Sequence, residues 1–170
     1  MGAQVMILMG SLADRDHVDK IAAACAGFGL TVEQHVASAH KSARYLLDLL
    51  AKREADPEPV VYIAVAGRSN ALGGMADANV SAPVITCPPA SSAYGGADIY
   101  SSLRMPTGVA PLVVLEPSAA ALAAAKILAL GDDALRQRVI DYQASLTQQI
   151  INDDSALGLE QHRSMGERTT

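Results

Sequence analysis

Apolar positions along this chain follow two alternating patterns. Short stretches dense in Val, Ile, Leu and Ala stand at Val5–Met9, Val60–Ala66, Val84–Cys87 and Leu112–Leu115, and Thr31–Val36 is a fifth stretch of strand length. Between them, apolar residues recur at the three- and four-residue spacing of a helix face. Over Asp16–Phe28 that face is Val18, Ile21, Ala22, Cys25 and Phe28, and Gly29 stands where helices commonly end in a left-handed glycine. Over Ser42–Arg53 it is Tyr45, Leu46, Leu49 and Leu50. Short helices are predicted at Ala71–Asn79 and Asp98–Arg104, and longer ones at Ser118–Leu130 and Asp132–Asn152. The polar residues after Ser155 lack periodicity, which predicts a disordered tail over 156–170.

Strands that are apolar nearly throughout, separated by helices, predict a parallel sheet covered on both faces. Five of them predict a three-layer αβα, flavodoxin-like, doubly wound α/β fold, with one domain over 1–155. In such folds ligands sit beyond the carboxyl ends of the strands, where the strand order reverses. The residues after each strand are therefore the ones to read for chemistry. Gly10-Ser11-Leu12-Ala13-Asp14, Ser38-Ala39-His40-Lys41, Gly67-Arg68-Ser69-Asn70 and Pro88-Pro89-Ala90-Ser91-Ser92 follow the first four strands. Their small residues leave backbone N–H groups open beside hydroxyls and charges, a composition suited to phosphates and sugars. Any one polar, small-residue loop is ordinary in an α/β protein. Four in succession point to a site for a phosphorylated small molecule.

Composition narrows the partners. Half of the 170 residues are hydrophobic but only 4% are aromatic, so small aliphatic side chains build the core. A net charge of -5 without any basic block argues against nucleic acid or an anionic membrane as the main partner. No apolar run reaches membrane-spanning length, and Val5–Met9 lacks the basic flank and cleavage site of a signal peptide, so a cytoplasmic protein is expected. Cys25 and Cys87 are far apart, have no metal-ligand spacing, and read as reduced core residues. No glycine-rich dinucleotide or P-loop motif is present, which sets aside dinucleotides and ATP, and no metal-ligand cluster appears.

Among four histidines, His17 falls in the first turn of a helix as a surface residue, His35 inside a strand as a packed one, and His162 in the tail. His40 alone stands at a strand end among small residues, where an acid or base near neutral pH is useful. Ser11 and Asp14 have two compatible readings. One of them caps a helix, or Asp14 accepts hydrogen bonds from ribose hydroxyls while the loop N–H groups face a phosphate.

Four motifs, in order, carry a family resemblance. Met9-Gly10-Ser11-x-x-Asp14, Ser38-Ala39-His40-Lys41, Ala66-Gly67-Arg68-Ser69-Asn70-Ala71-Leu72 and Asp98-Ile99-Tyr100-Ser101-Ser102-Leu103-Arg104-Met105-Pro106 closely resemble the PurE family of purine biosynthesis, over about Val5 to Ser155. That family has two branches. One moves a carboxyl group within N5-carboxyaminoimidazole ribonucleotide (N5-CAIR) and reads Ser-Ala-His-Arg-Thr-Pro in the second motif. The other carboxylates aminoimidazole ribonucleotide (AIR) with CO2 directly and reads Ser-Ala-His-Lys and Gly-Arg-Ser-Asn-Ala-Leu. Lys41, Ser42-Ala43 and Gly67-Arg68-Ser69-Asn70 resemble the second branch, class II. Two positions depart: Ala13 and Gly73 stand where serine is common.

The resemblance implies carboxylation of AIR to 4-carboxy-5-aminoimidazole ribonucleotide (CAIR), with no cofactor. His40 would move the C4 proton. Ser11, Asp14, Ser38 and Lys41 would hold the ribose phosphate, and Gly67 and Ser69 would lie against the base and the carboxylate or CO2. It also implies a homo-octamer in which the C-terminal helix reaches onto a neighbour; the stripe Leu135, Val139, Tyr142, Leu146 and Ile150 fits that role or packing within the chain. The alternatives are the N5-CAIR mutase reaction and a non-catalytic ribonucleotide-binding module, which would need no titrating group at position 40.

Overall fold

A computed structural model describes residues 4–166. Five strands, β1 (Val5–Met9), β2 (Val32–Val36), β3 (Val61–Val65), β4 (Val84–Thr86) and β5 (Leu112–Val113), form one sheet in the order β2-β1-β3-β4-β5. Every pairing is parallel, with Val5 opposite both Val32 and Val61. Parallel neighbours need crossovers, and helices lie in all four: α1 (Arg15–Gly27), α2 (Ala43–Glu54), α3 (Ala71–Asp77) and α4 (Tyr100–Leu103), while α5 (Pro117–Leu128) follows the last strand. The final helix, α6, runs Asp133–Gly166. This is the expected flavodoxin-like α/β architecture.

The period of two along each central strand sends alternate side chains into two cores. Val5, Ile7 and Met9 of β1 and Val61, Ile63 and Val65 of β3 join Val18, Ile21 and Cys25 of α1 and an alanine row of α5. Met6, Leu8, Tyr62 and Ala64 point the other way, onto Leu46 and Leu50 of α2 and Leu72 and Ala76 of α3. Each fully buried large aliphatic contributes about 1.5–3 kcal/mol. The row Ala120, Ala121, Ala124 and Ala125 is wholly buried, and its small side chains let α5 approach α1 closely.

The expectation that strands are buried on both faces holds for β1, β3 and β4 but not at the edges. In β2, Glu33, Gln34 and Val36 are exposed, and Leu112 of β5 is exposed too. His35, expected to be packed, is part-exposed on β2 and lies 2.6 Å from the Glu33 carboxylate, two residues away on the same face. Gly29 ends α1 as expected, with φ +72. The C-terminal helix passes Ser155, where the sequence pattern ends the ordered chain, and continues to Gly166. Ala156, Leu157, Leu159, Glu160 and Gln161 are good helix formers with no proline among them, and extending an existing helix adds one hydrogen bond per residue fixed. Residues 167–170 lie outside the described residues. Among the described residues no helix is long and apolar enough to cross a membrane.

Candidate active site

The strand order reverses between β1 and β3, and their carboxyl ends are tied together there. The Gly10 N–H donates to the Val65 carbonyl at 2.9 Å, and the Ala37 N–H donates to the Met9 carbonyl at the same distance. The Cys87 N–H donates to the Ala64 carbonyl of β3, also at 2.9 Å. The loops after four strands therefore start from one level. Between them opens a cleft of about 500 Å³ lined by Gly10, Ser11, Ala13 and Asp14, then Ser38 to Lys41, then Ala66 to Ser69 with Leu72, and finally Pro89 and Ser91. All seven candidate residues, Ser11, Asp14, Ser38, His40, Lys41, Gly67 and Ser69, lie on its wall.

The first loop separates the two roles the sequence leaves open. Ser11 caps a single 3-10 turn at Leu12–Asp14, its hydroxyl accepting from the Ala13 N–H at 3.2 Å. Asp14 precedes α1 but its carboxylate makes no capping hydrogen bond to that helix. Burial pushes that carboxyl above its usual range, against the opposing influence of His17 and a hydrogen bond with the Ser11 backbone. His17 is not the surface residue its position implied. It is part-buried, with Nε2 3.4 Å from Cys87 Sγ. Burial, together with the nearby Lys20 charge, lowers its basicity and outweighs the contacts with Cys87, Asp14 and Glu116 that favour the proton.

The second loop is closed by its own serines. The Ser38 N–H donates to Ser42 Oγ at 2.9 Å, the Ser42 N–H donates back to the Ser38 carbonyl at 2.9 Å, and Ser38 Oγ accepts from the Lys41 N–H at 3.2 Å. Ser38 still has its O–H to donate, and the turn presents His40 and Lys41, both exposed, at its tip. The imidazole is thus carried on a backbone fixed by three hydrogen bonds while its ring faces open space.

The third loop contains a strained residue. Arg68 has φ +60, a left-handed conformation that costs a side-chain-bearing residue about 1–2 kcal/mol. Beside it Asn70, 2% exposed, caps α3 by accepting from the Gly73 N–H at 3.2 Å. A second, mostly apolar cavity of about 310 Å³ adjoins the cleft and shares Ala66, Gly67, Arg68 and Pro89 with it. Arg68 and Ser91 also line the cleft, although neither is among the candidate residues and only their loops stand out in the sequence. Their positions follow from strand order, which a single loop's composition does not reveal. Among the described residues no group of three His, Cys, Asp or Glu is arranged to hold a metal.

The chain has counterparts among known proteins. The family model described as AIR carboxylase matches residues 4–149. A phosphoribosylaminoimidazole carboxylase of Archaeoglobus fulgidus is 48% identical over 156 residues, 92% of this chain and 86% of that one. One from Treponema denticola is 48% identical over 153 residues, 90% of this chain and 96% of that one. The crystal structure of Treponema denticola PurE superimposes with a TM-score of 0.89 at 48% identity, covering 90% of this chain and 97% of that chain. A family match over most of the chain and relatives 48% identical over nearly its whole length show that the chain belongs to the AIR carboxylase (PurE) family.

Proposed function

We propose that this chain catalyses the carboxylation of AIR by CO2 to CAIR in purine biosynthesis, as a carboxy-lyase working in either direction. The observation that carries this reading is the gathering of Ser11, Asp14, Ser38, His40, Lys41, Gly67 and Ser69 around one cleft at the β1/β3 reversal.

The 5-amino group of an aminoimidazole makes C4 enamine-like and nucleophilic. C4 attacks the carbon of CO2, forming one C–C bond and leaving C4 with both a proton and a carboxylate. His40, neutral, takes that proton, the ring regains its aromaticity, and the imidazolium releases the proton to solvent at the open mouth of the cleft. Decarboxylation runs the same steps backwards from the imidazolium. The ribose phosphate is assigned to Ser11, Ser38 and Lys41, with the Asp14 carboxylate accepting from ribose hydroxyls. Lys41 supplies a compact charge rather than an arginine's two-pronged fork. Gly67 and Ser69 are assigned to the base and to the carboxylate or CO2.

The choice of CO2 over N5-CAIR rests on Lys41 and on Gly67-Arg68-Ser69-Asn70. What supports it in three dimensions is that Asn70 is spent on structure, its amide bonded to Gly73 and Ser102. In sequence, the Gly67-Arg68-Ser69-Asn70 loop carries no second histidine that would shuttle protons.

The test supplies purified protein with AIR and bicarbonate, or with N5-CAIR. AIR should be converted to CAIR, and efficient use of N5-CAIR alone would refute the assignment. His40→Asn should reduce turnover by about 10²–10⁴-fold, the usual worth of a positioned acid–base, while AIR still binds. Binding without turnover in the unmodified protein would instead leave a ribonucleotide-binding module.

We assign the protein to the cytoplasm and to a homo-octamer. The two free thiols suit a reducing compartment. Leu135 and Val139 of α6 are buried in the body of the chain, while Leu146, Ile150 and Ile151 are exposed beyond it, an apolar stripe suited to a neighbouring subunit. Light scattering that returns a monomer at micromolar concentration would overturn the octamer.

A further inference from the structure

Resting on the reading of the cleft as the AIR site, the geometry points to Asp98, with Ser101 and Ser102, as the positioning device that holds the Gly67–Asn70 wall in its working shape. None of the three lines the cleft. Each nevertheless bonds to the loop that does, across a sequence gap of about thirty residues. The Arg68 N–H donates to Asp98 Oδ2 at 3.2 Å. The Asn70 N–H donates to Ser101 Oγ at 3.0 Å, and the Asn70 side-chain amide donates to Ser102 Oγ at 3.0 Å. Ser101 in turn has two carbonyls in reach of its single O–H, Asp98 at 2.7 Å and Arg68 at 3.2 Å. The clamp therefore grips both flanks of Ser69 and the residue next to Gly67.

What makes this a device rather than ordinary packing is the residue it grips. Arg68 sits at φ +60 although it carries a side chain, and its own preference is to relax toward negative φ. The Asp98 carboxylate receives the N–H of that very residue. Without this acceptor the strained turn loses its anchor, and Gly67 and Ser69 on either side shift with it. A shift of about 1 Å in a positioning group costs on the order of 10²-fold in rate. The fourth motif of the chain thus acts through the third.

The experiment uses the full-length protein, AIR and bicarbonate, and reads kcat, KM and AIR affinity in four proteins: unaltered, Asp98→Ala, Arg68→Gly and the double variant. Glycine adopts φ +60 without strain and so does not need the clamp. Asp98→Ala is expected to lower kcat at least about tenfold where Arg68 is retained, with a smaller change in AIR affinity, but less than about threefold in the Arg68→Gly background. Asp98→Asn keeps an acceptor oxygen for the Arg68 N–H and should stay within about threefold of the unaltered enzyme. An equal loss in both backgrounds, an Asp98→Asn as impaired as Asp98→Ala, or no loss at all would each overturn the clamp. Should Asp98→Ala not fold, Ser101→Ala with and without Arg68→Gly makes the same comparison. Failure of the unaltered protein to convert AIR would refute the reading of the cleft instead, a distinct outcome.

Discussion

Gly73 in α3 is packed against Thr86 of β4 so closely that a Cβ at position 73 would fall inside the contact distance of Thr86 Oγ1. That oxygen is buried and has no hydrogen-bond partner. A serine at this position therefore does not fit unless Thr86 gives way. Threonine is stiff at χ1 and cannot easily turn aside. Gly73→Ala should destabilise by about 1–3 kcal/mol, the range for overpacking. In a Thr86→Ala background the same change should cost much less, because the nearest remaining atom, Thr86 Cβ, lies at an ordinary 3.5 Å. Thr86→Val removes an unpaired buried hydroxyl and should raise stability by about 1 kcal/mol. Urea unfolding of the set, analysed as a double-mutant cycle, measures all three. Additive effects of positions 73 and 86 would refute the contact.

The two thiols give a chemical test of the core. Cys25 and Cys87 are fully buried, and burial pushes their pKa up to about 11 and about 12. Only the thiolate reacts with alkylating reagents. Iodoacetamide at pH 8 should therefore leave both unmodified in the native protein and modify both in urea, by intact-mass measurement. His17, despite lying 3.4 Å from Cys87 Sγ, should not activate it. Fast native labelling at Cys87 would show that the pair is a reactive dyad.

Much of this was legible in the residues. Central strands announce themselves because both faces are buried and all of their side chains are apolar, as in β1 and β3. The edge strand β2 is harder to read: its Glu33 and Gln34 face solvent, and its placement comes from pairing with β1 rather than from its own composition. The cleft residues are found by following the carboxyl ends of the strands, a rule that needs only strand boundaries. The strain at Arg68 and the grip of Asp98 on it were not accessible. A left-handed arginine has no composition signature, and its partner is thirty residues away. The environment of His17 is hidden for the same reason, since its neighbour Cys87 comes from beyond another strand.

The alanine row of α5 makes a packing prediction. Ala120, Ala121, Ala124 and Ala125 are at zero exposure, in the same core as Val18, Ile21 and Cys25 of α1. Close-packed interiors have no room for three extra carbons. Ala124→Leu should lower stability by about 1–3 kcal/mol, whereas Ala119→Leu, on the exposed face of the same helix, should change it by less than about 0.5 kcal/mol. Thermal unfolding compares the two. Equal effects would mean that α5 is not seated on α1 as described.

Asp14 links binding to pH, and the sign can be worked out. Burial raises its pKa in the folded protein, so the folded chain holds that proton more tightly than the unfolded chain does. The stability this contributes is fully present below the ordinary value of 3.8 and is lost as pH rises through the folded value. At neutral pH the ionised carboxylate is thus a burden on the free protein, and the ribose contact proposed for it offsets that cost in the complex, because a carboxylate accepts strongly from hydroxyls. Asp14→Asn should raise the melting temperature at pH 7 while weakening AIR binding by about tenfold, one charge-assisted hydrogen bond. In the unaltered protein AIR affinity should begin to fall, as pH is lowered, above the range of an ordinary aspartate. The phosphate of AIR also titrates in mild acid, so the variant serves as the control. Calorimetric titration of both proteins between pH 4 and 8, a window chosen around the ordinary carboxylate and phosphate ranges, isolates the Asp14 contribution as the difference between the two curves. Parallel curves would mean that Asp14 does not touch the ribonucleotide.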